Sequence, residues 1–174
     1  MERKRGADKP AARIALLGIL AALAIALSAL EGLLPVIPVP GAKWGLSNLA
    51  TMTALSLLGW PAALGVTLAK AGFTLLRGGT ACLMSLSGGL FSLLVMTALF
   101  GFMRGRVGYL GVGVAGAAAH NAGQLLCAMA LVDGSLWRLA PFLLLAALAT
   151  GCATGLIMQA VWPALKRLYK TGEV

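Results

Sequence analysis

The chain has 174 residues, of which 60% are hydrophobic and only 11% charged. Soluble globular domains carry roughly 25% charged residues, so a water-soluble fold is excluded and an integral membrane protein is implied. The formal net charge of +9 does not signal nucleic acid, because that partner asks for cations on one folded face with aromatic platforms between them, and the sequence shows neither.

A crossing helix needs roughly 20 residues, which leaves room for about six and for no separate soluble domain. Residues 1–13, MERKRGADKPAAR, form a basic polar tail. Residues 14–30, IALLGILAALAIALSAL, run without a charge up to Glu31 and predict the first span. A secretory signal peptide shares the basic start, but its apolar core is usually ~7–15 residues, and here the core is longer and more spans follow. The segment 32–44, GLLPVIPVPGAKW, places three prolines within six positions. Proline lacks a backbone donor and blocks a helix, so this is a loop or a re-entrant hairpin. The second span is expected over 45–60, closed by Gly59, Trp60 and Pro61, and the third over 62–76, containing Lys70 and ending at RGG, 77–79. The fourth covers 81–103, the fifth 108–131 and the sixth 139–162, with a second basic tail at 163–174. The predicted fold is an all-α bundle of about six transmembrane helices forming one domain over 14–162.

Basic residues orient such a bundle, since they accumulate on the cytoplasmic side. With six spans, Arg3, Lys4, Arg5, Lys9, Arg13, Arg104, Arg106, Lys166, Arg167 and Lys170 fall on one side, against Lys43, Arg77 and Arg138 on the other. Both termini are therefore expected in the cytoplasm. The high charge is mostly topological, with some attraction to anionic lipid.

Polar groups inside spans are costly in hydrocarbon and usually face a protein interior or a cavity. AAAHNAGQLL, 117–126, puts His120, Asn121 and Gln124 together in the fifth span, three or four residues apart and so expected on one face. Asn48 starts the second span, Lys70 lies inside the third and Arg77 follows two turns later, with Glu31 as the nearest counter-ion. These six, His120, Asn121, Gln124, Asn48, Lys70 and Arg77, are the candidate contacts for an anionic or polar ligand; interhelical hydrogen bonding is the plainer alternative for Asn121 and Gln124. Trp44 and Trp137 are possible lids or interface anchors. Gly18, Ala22 and Ala26 recur every four residues on the first span, a pattern that lets helices approach closely in lipid. It serves either packing inside the bundle or docking of a partner membrane protein, and Gly111, Gly113 and Gly116, or Gly151 and Gly155, invite the same two readings. Cys82, Cys127 and Cys152 are scattered, and one histidine with no carboxylate pair makes no metal site.

GAKWGLSN (41–48), SLSGGLFS (85–92), HNAGQ (120–124) and TGCATG (150–155) together resemble the Gx transporter family, also known as heptaprenyl diphosphate synthase component I. Such proteins are similar to the substrate-binding components of energy-coupling-factor transporters. The resemblance implies six helices, substrate loops facing outward, a prokaryotic plasma membrane, and a first helix whose small residues dock on a coupling membrane protein. The sequence departs from that pattern at Lys70, where arginine is expected, and lysine offers a point charge in place of a planar fork.

The two family labels imply different functions. Making a polyprenyl diphosphate needs magnesium held by carboxylates, but between residues 14 and 165 the chain has only Glu31 and Asp133. No nucleotide-binding loop is present either. The leading expectation is a cofactor-free component that captures a small solute and relies on a coupling membrane protein with ATPase subunits. The alternative is a non-catalytic membrane subunit that accompanies a prenyl synthase catalytic subunit.

Overall fold

A computed structural model of the chain describes residues 10–33, 45–102, 106–131 and 136–171. Among them 92% are helical and none is in a strand. The helices are α1 (Pro10–Glu31), α2 (Asn48–Leu58), α3 (Trp60–Thr74), α4 (Gly79–Phe102), α5 (Tyr109–Leu131) and α6 (Ala140–Thr171). Single 3-10 turns, Leu75–Arg77 and Trp137–Leu139, follow α3 and precede α6.

Four of these, α1, α4, α5 and α6, are long and apolar enough to cross a membrane. The other two differ from expectation. With 11 and 15 residues, α2 and α3 rise only about 16 and 22 Å, short of a hydrocarbon core of ~30 Å. Burial explains how so short a helix is kept: α2 touches all five other helices. Asn48, Ala50, Thr51, Met52, Thr53, Ala54 and Leu58 are all buried, so lipid is not its solvent.

One residue separates α2 from α3. Gly59 has φ 88° and ψ −176°, a region open essentially to glycine alone. Its N–H donates to the Ala54 carbonyl at 3.1 Å, closing α2, and Pro61 opens α3 where no intrahelical donor is needed. A Cβ on Gly59 would meet nothing within 4 Å, so only backbone strain opposes a side chain there. Gly59→Ala is therefore expected to lower stability by roughly 1–3 kcal/mol while leaving the far end of the hairpin intact, which thermal unfolding in detergent would measure.

Three apolar clusters hold the bundle. Leu16, Leu20, Ala24, Ala50, Ala54, Ala63, Val66 and Leu93 join α1, α2, α3 and α4. Met52, Met96, Val112 and Met158 tie α2 to α4, α5 and α6. At the opposite end, Met84, Leu125, Ala128 and Leu143 join α4, α5 and α6. Tyr169, near the end of α6, packs on the first cluster, and Leu16 of α1 and Leu165 of α6 line one cavity. The start of α1 and the end of α6 thus lie at one end of the bundle, which we call the Arg13 end, with Glu31 at the other.

The glycine patterns divide. Gly113, Gly151 and Gly155 bring α5 and α6 into backbone contact: a Cβ on Gly113 would lie 2.5 Å from the Gly151 carbonyl oxygen. Gly116 lies against Met96 of α4, while the only crowding at Gly111 comes from Val107, just before its own helix. By contrast Gly18, Ala22 and Ala26 are all exposed on α1, and a Cβ on Gly18 would meet nothing. Their spacing does not serve packing within this chain. The sixth helix also outruns its predicted span, continuing through Pro163 to Thr171 with Lys166 and Arg167 exposed on it.

Candidate functional site

The shortness of α2 has a chemical result: its N-terminus is buried inside the bundle, with Ser47 and Asn48 both shielded from solvent. First-turn N–H groups there need acceptors, and an anion is favoured beside them. Glu31, the last residue of α1, supplies both, since its Oε1 accepts the Ser47 N–H at 2.6 Å. Glu31 is buried although it is a carboxylate. Across the hairpin, Lys70 of α3 is 1% exposed. Its Nζ donates to Ser47 Oγ at 3.2 Å and to Asn48 Oδ1 at 3.4 Å. Glu31 and Lys70 are therefore a buried acid and base joined through Ser47, whose N–H donates to Glu31 and whose hydroxyl accepts from Lys70. Charges at this depth persist only when paired or hydrogen-bonded.

Helix α5 completes the cluster. Gly45 has φ 91°, and a Cβ there would lie 3.4 Å from Asn48 Nδ2 and 3.6 Å from His120 Cδ2. On α4, a Cβ at Gly88 would fall within 2.8 Å of His120 Cε1 and 2.9 Å of Gln124 Cγ. The neighbouring Gly89 faces Thr67, with Lys70 Nζ at 4.0 Å from its Cβ position. The two glycines let α3 and α5 bring Lys70, His120 and Gln124 against one strip of α4. Ser85 and Ser92, about one turn to either side, extend that strip and are buried.

Of the six predicted contacts, Asn48, Lys70, His120 and Gln124 are brought together and two are not. Asn121 is turned about 100° from His120 by the helical repeat and donates from Nδ2 to the Leu143 carbonyl of α6 at 2.8 Å. The expected common face of the three α5 residues is split between α4 and α6. Arg77 is exposed, because the 3-10 turn carries it away from Lys70 to the end of α1. There it donates to the Ser28 and Ala29 carbonyls at 3.5 and 3.2 Å and lies directly against Gly32. It caps a helix C-terminus, where a cation is favoured. Trp44 and the proline-rich segment lie outside the described residues, and Trp137 is exposed.

Ser47, Ser85 and the Gly88–Gly89 pair were not singled out from sequence as site residues, and Glu31 was read only as a counter-ion. The signal was present in the GAKWGLSN and SLSGGLFS strings. Among the described residues, Glu31 Oε2, Asn48 Nδ2, Thr51 Oγ1, Ser85 Oγ and Ser92 Oγ are buried without a hydrogen-bond partner. Buried polar atoms are normally satisfied, so this cluster keeps spare acceptor and donor capacity, with an acceptor on Glu31 and a donor on Asn48.

The sequence pattern of the family described as heptaprenyl diphosphate synthase component I matches residues 20–161. The chain belongs to that family. The matched region contains every residue of the cluster, from Glu31 to Gln124. No curated protein and no solved structure matches the chain. In this component I chain the described residues include one carboxylate, Glu31, already engaged with the start of α2. Among the described residues no three His, Cys, Asp or Glu side chains gather as a metal site. This donor set is poor in the hard oxygen ligands that magnesium takes.

Proposed function

We propose that this component I protein is a small membrane binding subunit that captures a polar or anionic solute and leaves energy or chemistry to partners. The observation that carries the reading is the Glu31–Ser47–Asn48–Lys70 cluster. Charged side chains inside a membrane bundle are rare and mark ligand or ion paths. A helix that begins inside the bundle, as α2 does, resembles the broken helices that address such ligands in transporters. His120 and Gln124 add the α5 wall, and Asn121 and Arg77 serve as structural supports nearby. On this reading the Glu31 end faces outward and the Arg13 end the cytoplasm of a prokaryotic cell, in keeping with the excess of basic residues on the two tails. The open Gly18–Ala22–Ala26 face then suits a coupling membrane protein that works with ATPase subunits, small residues being the usual contact surface in lipid.

A second reading is favoured by the family match alone: a non-catalytic membrane subunit accompanying a prenyl synthase catalytic subunit. It differs in its partner, which affinity purification from native membranes would identify.

The capture reading is tested by mass spectrometry of small molecules that leave the detergent-purified protein on denaturation. A molecule released by the wild type and missing from His120→Ala/Gln124→Ala is the expected result. Identical background lipids from both proteins would end the proposal.

A further inference from the structure

Helix α1 packs on α2 and α3, and near its start a groove is left between it and the α2–α3 turn. Arg13, Ile14 and Leu17 form one wall, and Leu58, Pro61 and Ala62 form the other. The space is about 240 Å³. Its lining is apolar apart from Arg13, which is exposed. Trp60 stands in the same turn and is 46% exposed; tryptophan at the end of a spanning bundle marks the headgroup level of a bilayer. The groove therefore opens into the lipid interface, and Ile14 and Leu17 continue it from Arg13 toward the hydrocarbon.

Charge decides what belongs there. Lys166 and Arg167 of α6 are exposed at the same end, as is Arg106, just before the Tyr109 that packs on Trp162. Among the described residues the one carboxylate, Glu31, is buried at the far end of α1. The first turns of α1 and α3, whose N–H groups favour an anion, contain no acidic residue either. Arg13 thus lines an apolar groove with no carboxylate partner among the described residues. An occupant that suits both must carry an anion on an apolar body. Free phosphate supplies only the first, and a neutral acyl chain only the second. A zwitterionic headgroup brings an ammonium that no described acid at this end receives.

We propose that this groove binds one anionic phospholipid, its phosphodiester held by the Arg13 guanidinium and the start of an acyl chain laid over Ile14, Leu17 and Leu58. A guanidinium meets phosphate with two parallel hydrogen bonds, and basic pockets between spanning helices are a known way of holding such headgroups. The volume is at the small end for ligand pockets, which suits the glycerol-ester region and not the whole lipid. The lipid then bridges α1 to the α2–α3 turn. At the opposite end of α1, Arg77 makes the corresponding link from the turn after α3.

The experiment is native mass spectrometry of the detergent-purified chain, titrated with equal amounts of phosphatidylglycerol and phosphatidylethanolamine bearing the same acyl chains. One phosphatidylglycerol per chain is expected to be retained in preference to phosphatidylethanolamine. Arg13→Ala is expected to lower that adduct on the order of tenfold, the usual weight of a hydrogen bond to a charged group. Arg106→Ala/Lys166→Ala removes two charges from the same end, neither of which lines the groove, and is expected to keep the adduct. Ala62→Phe fills the groove at unchanged charge and is expected to lose it. An excess of glycerol 3-phosphate is expected to leave the lipid in place, because it lacks the chain. Equal retention of the two lipids by wild type, or a loss in Arg106→Ala/Lys166→Ala as large as in Arg13→Ala, would overturn the site. So would displacement by glycerol 3-phosphate, or an undiminished adduct on a folded Ala62→Phe protein.

Discussion

Lys70→Met is expected to destabilise the protein by about 3 kcal/mol, and Glu31→Gln/Lys70→Met to recover most of that loss. Removing one member of a buried charge pair strands the other in a medium that solvates it poorly, at a cost of roughly 3–5 kcal/mol. Replacing both members leaves no charge to strand. Here the pair is bridged and not in direct contact: Lys70 donates to Ser47 Oγ, and the Ser47 N–H donates to Glu31. The lower end of the range is therefore appropriate. For a chain of this length that corresponds to a fall of roughly 6–12 °C in melting temperature, readable by dye-free thermal unfolding in detergent. Both proteins should lose the retained small molecule, because both lack the Lys70 ammonium. This separation of stability from retention is what distinguishes a ligand site from an interhelical lock. A lock predicts that the double variant, once stable, behaves as wild type in every respect. If Lys70→Met melts with the wild type, Lys70 carries no buried charge balance and the electrostatic account of the cluster is wrong.

How much of this was legible in the sequence depends on which physical rule governs each part. Helices α1, α4, α5 and α6 follow from unbroken apolar runs long enough to cross a bilayer. The region 45–76 has comparable hydrophobicity and reads as two ordinary spans, but hydropathy does not separate a helix wrapped by lipid from one wrapped by protein. Gly59 marked the break in sequence; that α2 starts only at Asn48, beneath a positive-φ Gly45, became clear from packing. In the site, the polar residue types pointed to Asn48, Lys70, His120 and Gln124, which the fold brings together. Asn121 was misplaced because three residues of separation from Gln124 still leaves about 60° of rotation, enough to face another helix. Arg77 was misplaced because the 3-10 turn breaks the phase that would have stacked it above Lys70. Glu31 looked like the boundary of an apolar run, while its role, receiving the N–H of a helix 16 positions later, is a tertiary fact that local pattern does not carry.

Gly151→Leu is expected to be the most damaging single substitution on the α5–α6 side. Any Cβ at 151 would lie 2.5 Å from Val114 Cα and 2.9 Å from the Gly113 carbonyl oxygen. Both are backbone atoms, so no rotamer change relieves the overlap and the helices must separate. Overpacking a close interface typically costs 1–3 kcal/mol and occasionally more, and a larger side chain on this contact belongs at or above 3 kcal/mol. Lipid supplies no compensating drive to reclose the pair, since association in the membrane depends on close packing. The displacement should also reach the cluster, because α5 is the helix that seats His120 and Gln124 on Gly88. Loss of the folded peak in size-exclusion after mild heating, together with loss of the retained small molecule, is the expected pair of results. Gly18→Leu is the matched control, since that position meets nothing within 4 Å and the isolated chain should tolerate it. A Gly151→Leu protein as heat-resistant as wild type would mean that α5 and α6 do not meet at these glycines.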